Sequence, residues 1–220
     1  ATITLNDADN AFTGALTITT NDNSGTDADV IIDGGTTALI IAASTIDGDL
    51  TLTSGATAGI TDSGTVTVGG DLVATTDDGD GVIDMGTLVV GGSIALTTDG
   101  NGNATVEDSG RFIFEASTVG GNLTATSTGG HMQQSGALTI TGTSAFTTSA
   151  NNKSITLNDA DNAFTGALTI TTNDNSGTDA AVIIDGGTTA LIIAASTIDG
   201  NLTLTSDHAS GITDSGTVTV

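Results

Sequence analysis

The sequence predicts an all-β fold, a parallel β-helix (β-solenoid) with roughly triangular coils of about 22 residues and three short strands per coil. Three observations carry this: a long tandem duplication, a finer glycine-led period inside it, and strict alternation of apolar with small or polar residues. Residues 3–68 return as 155–220 at a constant offset of 152, with six differences over 66 aligned positions. These are Asp29/Ala181, Asp49/Asn201, and Gly55-Ala56-Thr57-Ala58 against Asp207-His208-Ala209-Ser210, so every Leu, Ile, Val and Phe of the segment is kept. The chain begins at Ala1 and ends at Val220 in mid-pattern, and is expected to be one continuous solenoid segment, 1–220, of a longer array.

Each coil is read as opening on a glycine: Gly14, Gly48, Gly70, Gly92, Gly121, Gly142, Gly166 and Gly200. The spacings are 34, 22, 22, 29, 21, 24 and 34, and the first six together make 152, which predicts six coils per long repeat. At about 4.8 Å per coil, such a repeat advances roughly 29 Å. Two residues after each glycine stand Leu16, Leu50, Leu72, Ile94, Leu123, Ser144, Leu168 and Leu202; four after stand Ile18, Leu52, Ala74, Leu96, Ala125, Phe146, Ile170 and Leu204. These face inward. The fifth position is Thr in every coil, from Thr19 to Thr205, and the period of two with β-branched residues is a strand signal.

A second strand runs into a tight turn at Ile60–Gly64, Val82–Gly86, Val106–Gly110, Met132–Gly136 and Ile212–Gly216, where glycine is expected to supply positive φ. A third follows at Val66/Val68, Leu88/Val90, Phe112/Phe114, Leu138/Ile140 and Val218/Val220. The polar stretch Asn21–Asp29 reads as a loop bulging from a longer coil, and Thr37–Ala43 with its copy 189–195 as a longer third strand. Proline is absent, so every ladder donor is available.

Composition narrows the function. Two basic against 26 acidic residues give a formal charge of −24, which argues against nucleic acid or an anionic membrane surface as partner. No run of 18 apolar residues exists to insert this segment into a membrane. With no Cys, disulfides and thiolate metal sites are excluded. The apolar content is aliphatic, with five Phe and no Trp or Tyr, which suits many narrow coils better than one deep interior.

Gly200-Asn201-Leu202-Thr203-Leu204-Thr205, Gly211–Val220, Ser135–Gly142 and Ile155–Gly166 resemble the repeat regions of filamentous-haemagglutinin-like giant surface proteins of Gram-negative bacteria. The resemblance spans essentially the whole chain and implies an exported β-helical rod that holds an adhesive or assembly-competent part away from the cell.

Calcium is the cofactor to consider. The turn residues Asp62, Asp84, Asp108, Gln134 and Asp214 are expected to stack in one column, with Asp33, Asp185 or Asn158 near it. Two carboxylates about 5 Å apart repel by roughly 1 kcal/mol in water. A Ca²⁺ ion between coils would relieve this; the plain alternative is a column of solvated turn caps. Asp77-Asp78-Gly79-Asp80-Gly81 and Asp99-Gly100-Asn101-Gly102-Asn103 begin like calcium loops, but lack the later glycine and glutamate ligand positions. Asn6–Asn10 and its copy 158–162 are a third, shorter candidate.

An ice- or surface-binding Thr face is weakened by the neighbouring position, which runs Thr17, Thr51, Val73, Ala95, Thr124, Ala145. An enzyme is not expected: Arg111 and Lys153 are the only basic residues, and His131 and His208 lie in different coil contexts. The expected function is an extracellular structural rod, either a stalk or a self-assembling filament, with an adhesive module as the alternative. Its expected partners are neighbouring repeats and other copies of itself.

Overall fold

In the computed structural model, which describes residues 1–21, 27–173 and 179–220, 26 strands form two sheets of 13, and every pairing is parallel. Part of the Asn21–Asp29 stretch, residues 22–26, lies outside the described residues. The first sheet climbs from Ile3–Leu5 through Val30–Asp33, Leu50–Ser54, Leu72–Thr76 and Ile94–Thr98 to Leu202–Thr205. The second runs from Leu39–Ile41 through Ile83–Val90, Ala104–Asp108 and Leu123–Ser127 to Ile212–Asp214.

A typical coil has a short side of one strand and a long side of two segments. Leu50–Ser54 is a short side in the first sheet; Ile60–Asp62 and Val66–Val68 are the long side in the second. Higher up the arrangement is reversed. Phe112–Phe114 with Ser117–Val119, and Met132–Gln134 with Leu138–Ile140, are long sides in the first sheet, while Leu123–Ser127 is a short side in the second. The long side therefore changes sheet along the rod.

This exchange corrects the expected coil count. From Ile3–Leu5 to its copy Ile155–Leu157 the ladder takes seven steps, through the strands that begin at Val30, Leu50, Leu72, Ile94, Phe112 and Met132. At about 4.8 Å per step the 152-residue repeat advances roughly 34 Å. The opening glycines mark short sides, and two short sides escape that signature. One, at Val30–Asp33, is led by Ala28; the other, at Ala104–Asp108, is led by Gly102 but carries Glu107 where other coils carry Thr. The spacings of 34 and 29 thus each span one of these unmarked short sides.

The Thr column also divides. Thr53, Thr75, Thr97, Thr118 and Thr139 form one file on the first sheet. Thr126, Thr147, Thr171, Thr197 and Thr219 form another on the second.

The inward positions behave as expected: Leu50, Leu52, Leu72, Ile94, Leu123 and Leu168 are fully buried in one continuous core. Four of the five phenylalanines make a spine through it. Ring centroids of Phe112/Phe114, Phe114/Phe146 and Phe146/Phe164 lie 4.5, 6.1 and 5.9 Å apart, each pair worth about 1 kcal/mol beyond its burial.

The turn glycines have a different reason from the one expected. Gly64, Gly86, Gly110, Gly136 and Gly216 are not among the positive-φ residues. At Gly136 and Gly216 the constraint is close stacking, because a β-carbon would stand 2.5 Å from the amide nitrogen of Ala116 or Ala195 in the coil below.

Candidate functional site

The corners that lead into the short sides hold most of the ordered polar groups. Asp29 Oδ1 accepts the Asp49 amide at 3.0 Å, Asp49 Oδ1 accepts that of Asp71 at 2.8 Å, and Asp71 Oδ1 accepts that of Ser93 at 2.6 Å. After the long side changes sheet, the ladder resumes on the other corner, with Asn103 accepting the Asn122 amide at 2.7 Å and Asn122 accepting that of Thr143 at 2.8 Å. Each side chain lies over the glycine of the next coil. A β-carbon on Gly48, Gly70 or Gly92 would collide with the carboxylate oxygen of Asp29, Asp49 or Asp71. The opening glycine is therefore a seat for the Asx below it.

Six residues after the opening glycine stands a second column: Thr20, Ser54, Thr76, Thr98, Ser127, Thr148, Thr172 and Ser206. Ser54 and Ser206 donate back to the Thr37 and Thr189 carbonyls, while others close the following corner. Thr76 donates to the Gly81 carbonyl at 2.9 Å, Thr98 to Gly102 at 2.7 Å, Ser127 to Gly130 at 2.9 Å and Thr148 to Lys153 at 2.8 Å. Both columns were overlooked in the sequence, although a Gly-Asx pair and a recurrent Ser or Thr record them.

The expected aspartate column does not form. Asp62 lies level with Ile41, and its carboxylate accepts the Gly86 and Thr87 amides, each at 2.9 Å, and the Thr87 hydroxyl of the next coil. Asp84 is exposed and level with Thr61 and Thr105. Asp108 faces inward, level with Leu88 and Ser127. Gln134 stands in the other sheet beside Phe114, and Asp214 beside Ile193. Asp33 and Asp185 each cap their own turn by accepting the amide of Gly35 or Gly187 at 2.8 Å, and Asn158 is exposed. The exchange of the long side puts Gln134 in the other sheet, and the register shift beside it turns Asp108 inward; Asp62 and Asp84 share a sheet but miss each other by one residue, because Ile60 pairs with Ile83. Asp62, Asp84 and Asp108 therefore do not stand in one file.

Asp77–Gly81 and Asp99–Asn103 are successive corners stacked on each other, with the Asp99 amide on the Thr76 carbonyl at 3.1 Å. Asp80, held at φ 61°, accepts the Asn101 amide at 2.6 Å; Asn103 belongs to the Asx ladder. Asp77 and Asp78 line a shallow groove with Asp33, Ala8, Gly35, Thr36 and Gly55, with a volume of about 280 Å³. Among the described residues no three acidic or histidine side chains converge on a point that could hold a metal ion. In Asn6–Asn10, the Asn10 amide group braces the Leu5 and Asp33 carbonyls at 3.0 and 3.1 Å, and Asn162 does the same for Leu157 and Asp185. His131 meets Ser154, His208 meets Ser210, and Arg111 donates to Gln133 at 3.1 Å.

Asp108 departs from its surroundings. It has no exposed surface; Oδ1 accepts the Val90 amide at 2.9 Å, while Oδ2 is buried with no hydrogen-bond partner. Burial pushes its pKa up, against the lowering effect of the backbone amides of Val90, Gly110 and Ser109.

A family model described as repeats of unknown function (DUF5649) matches residues 27–83 and 101–171. No curated protein and no solved structure matches the chain.

Proposed function

The chain belongs to the DUF5649 family of repeats, and from that premise we propose that it is a structural spacer, a length of rod within a large exported surface or filament protein. One observation carries this reading: the 152-residue repeat closes on a whole number of coils and returns to the same register. Ile3 pairs with Val30 as Ile155 pairs with Val182; Leu16 and Thr19 face Ile41 and Thr45 as Leu168 and Thr171 face Ile193 and Thr197. Each added repeat lengthens the rod and presents the same faces again, which is what a spacer requires. The resemblance to haemagglutinin-like repeats is what favours an extracellular setting.

The test is electron microscopy of purified chains carrying one, two and four copies of the 152-residue repeat, with and without a calcium chelator. Rods that grow by about 34 Å per copy support the spacer, and compact particles or lengths that do not scale overturn it. Rods that shorten or soften only on chelation would assign Ca²⁺ to the stacked corners at Asp77–Asp80 and Asp99–Asn101. An adhesive module would use the two five-threonine files as its material; retention of rod length with loss of surface binding after their replacement would favour it.

A further inference from the structure

The long side leaves the second sheet where Ile83–Val90, its last long strand there, is overlaid by the short strand Ala104–Asp108. The register shifts between Val106 and Asp108, so the end of the longer strand runs past the ladder of the shorter one. The Val90 amide at this joint is taken by the side chain of Asp108. At the corresponding joints of the first sheet the unmatched amides of Phe12 and Phe164 are taken by the neutral hydroxyls of Thr37 and Thr189, at 3.2 and 3.1 Å. Where a short strand meets a long side, Ser44, Ser117 and Ser196 accept the amides of Ile18, Leu96 and Ile170. A carboxylate does the joining only at Asp108 among these positions. In its own column, Asp108 stands level with Ser127, Thr148 and Thr172.

No cation compensates it. From Ile83–Val90 the only titratable group is Asp84, exposed on the outer face, and Leu123–Ser127 carries none. Glu107 is exposed on the outer face, Asp62 is engaged with Gly86 and Thr87, and Arg111 is exposed and bonded to Gln133. The inward neighbours in register are Leu88 and Ser127, with Val90 reached through its amide. A carboxylate here is a buried charge with one oxygen unpartnered and no cation beside it, a cost that the neutral carboxyl avoids.

We infer that Asp108 is a protonation switch built into the joint: neutral, it closes the coil where the long side changes sheet; ionised, it loosens that coil. The raised pKa agrees in sign. A carboxyl whose folded pKa exceeds its ordinary value of 3.8 contributes stability that is fully present below that value and lost as pH rises through the folded one. Acid therefore tightens this joint, and it loosens as pH rises above 3.8 through the folded midpoint.

The experiment is hydrogen exchange resolved by mass spectrometry, corrected for intrinsic rates, on the full chain from pH 3 to pH 8, with Asp108→Asn and Asp108→Thr beside it. The expected result in the native chain is a rise in opening of at least tenfold across segments 83–90 and 104–128, with no comparable rise in the control coil 182–205. In both variants the protection stays at the acid level throughout. Equal pH responses in native and variant chains, or a native response shared by the control coil, would overturn the switch. Should neither variant fold, a carbon-13 titration of the native Asp108 carboxyl decides: a midpoint above 3.8 supports the inference, and one at or below 3.8 overturns it.

Discussion

The two copies of the duplicated segment keep the same ladders while differing where they meet solvent. In the first copy, Asp29 accepts the amide of Asp49, and Asp49 that of Asp71, so three carboxylates follow one another up a corner. In the second, Ala181 and Asn201 occupy the two lower places, yet Val182 still pairs with Leu202 as Val30 pairs with Leu50. The remaining four differences fall in one turn, and its backbone-to-backbone bonds are unchanged. Gly55 and Asp207 both donate to the glycine carbonyl of the coil below at 2.8 Å, and Gly59 and Gly211, at φ 61° and 63°, both close the turn at 2.8 Å. The aliphatic core and the glycine seats set the register; the Asx column is adjustable trim whose charge can change without moving a strand.

The most disruptive test places a charge where both copies keep an aliphatic residue. Leu50→Asp, at a position with no exposed surface, should cost about 4 kcal/mol or more, measured by denaturant unfolding. Next comes the seat itself: Gly70→Ala drives a β-carbon into Asp49 and the Gly48 backbone, and should cost about 2 kcal/mol. Loss of less than half of that would show that the corner can relax and that the seat is not what fixes the glycine. Converting the first copy's column to the second's, with Asp29→Ala and Asp49→Asn together, should change stability by under about 1 kcal/mol, since a lost exposed hydrogen bond offsets relieved repulsion. The sharper readout there is salt: the native chain should gain more stability than the double variant between low and high ionic strength. Exchanging residues 55–58 for the sequence at 207–210 should be the smallest effect, within about 0.5 kcal/mol.

How far the sequence discloses this architecture depends on which residues carry it. Alternation at Leu50, Leu52, Leu72 and Ala74 makes strand and inward face legible, because a strand's side-chain period is a property of the backbone. The sheet to which each strand belongs is not legible in the same way. Gly92 and Gly121 look alike, but a short side led by Gly102 lies between them, and its Ala104, Glu107 and Asp108 lack the Leu-Thr-Thr signature of its neighbours. Missing that side and the one at Val30–Asp33 produced the six-coil count and the single Thr file; the aspartate column also needed Ile60 to pair with Val82, where it pairs with Ile83. The role of Asp108 was hidden for a related reason. Its place in an Asp-Ser-Gly turn imitates Asp62 and Asp214, and only the register reveals that its side chain points inward.

Because every ladder is parallel and joins one coil to the next, the hydrogen bonds of this rod run along its length. A pull on its two ends therefore loads those bonds in tension, one coil at a time, and does not shear whole strands past each other. Each coil that peels away releases about 75 Å of extended chain. The rod would yield in small steps, as an extensible tether.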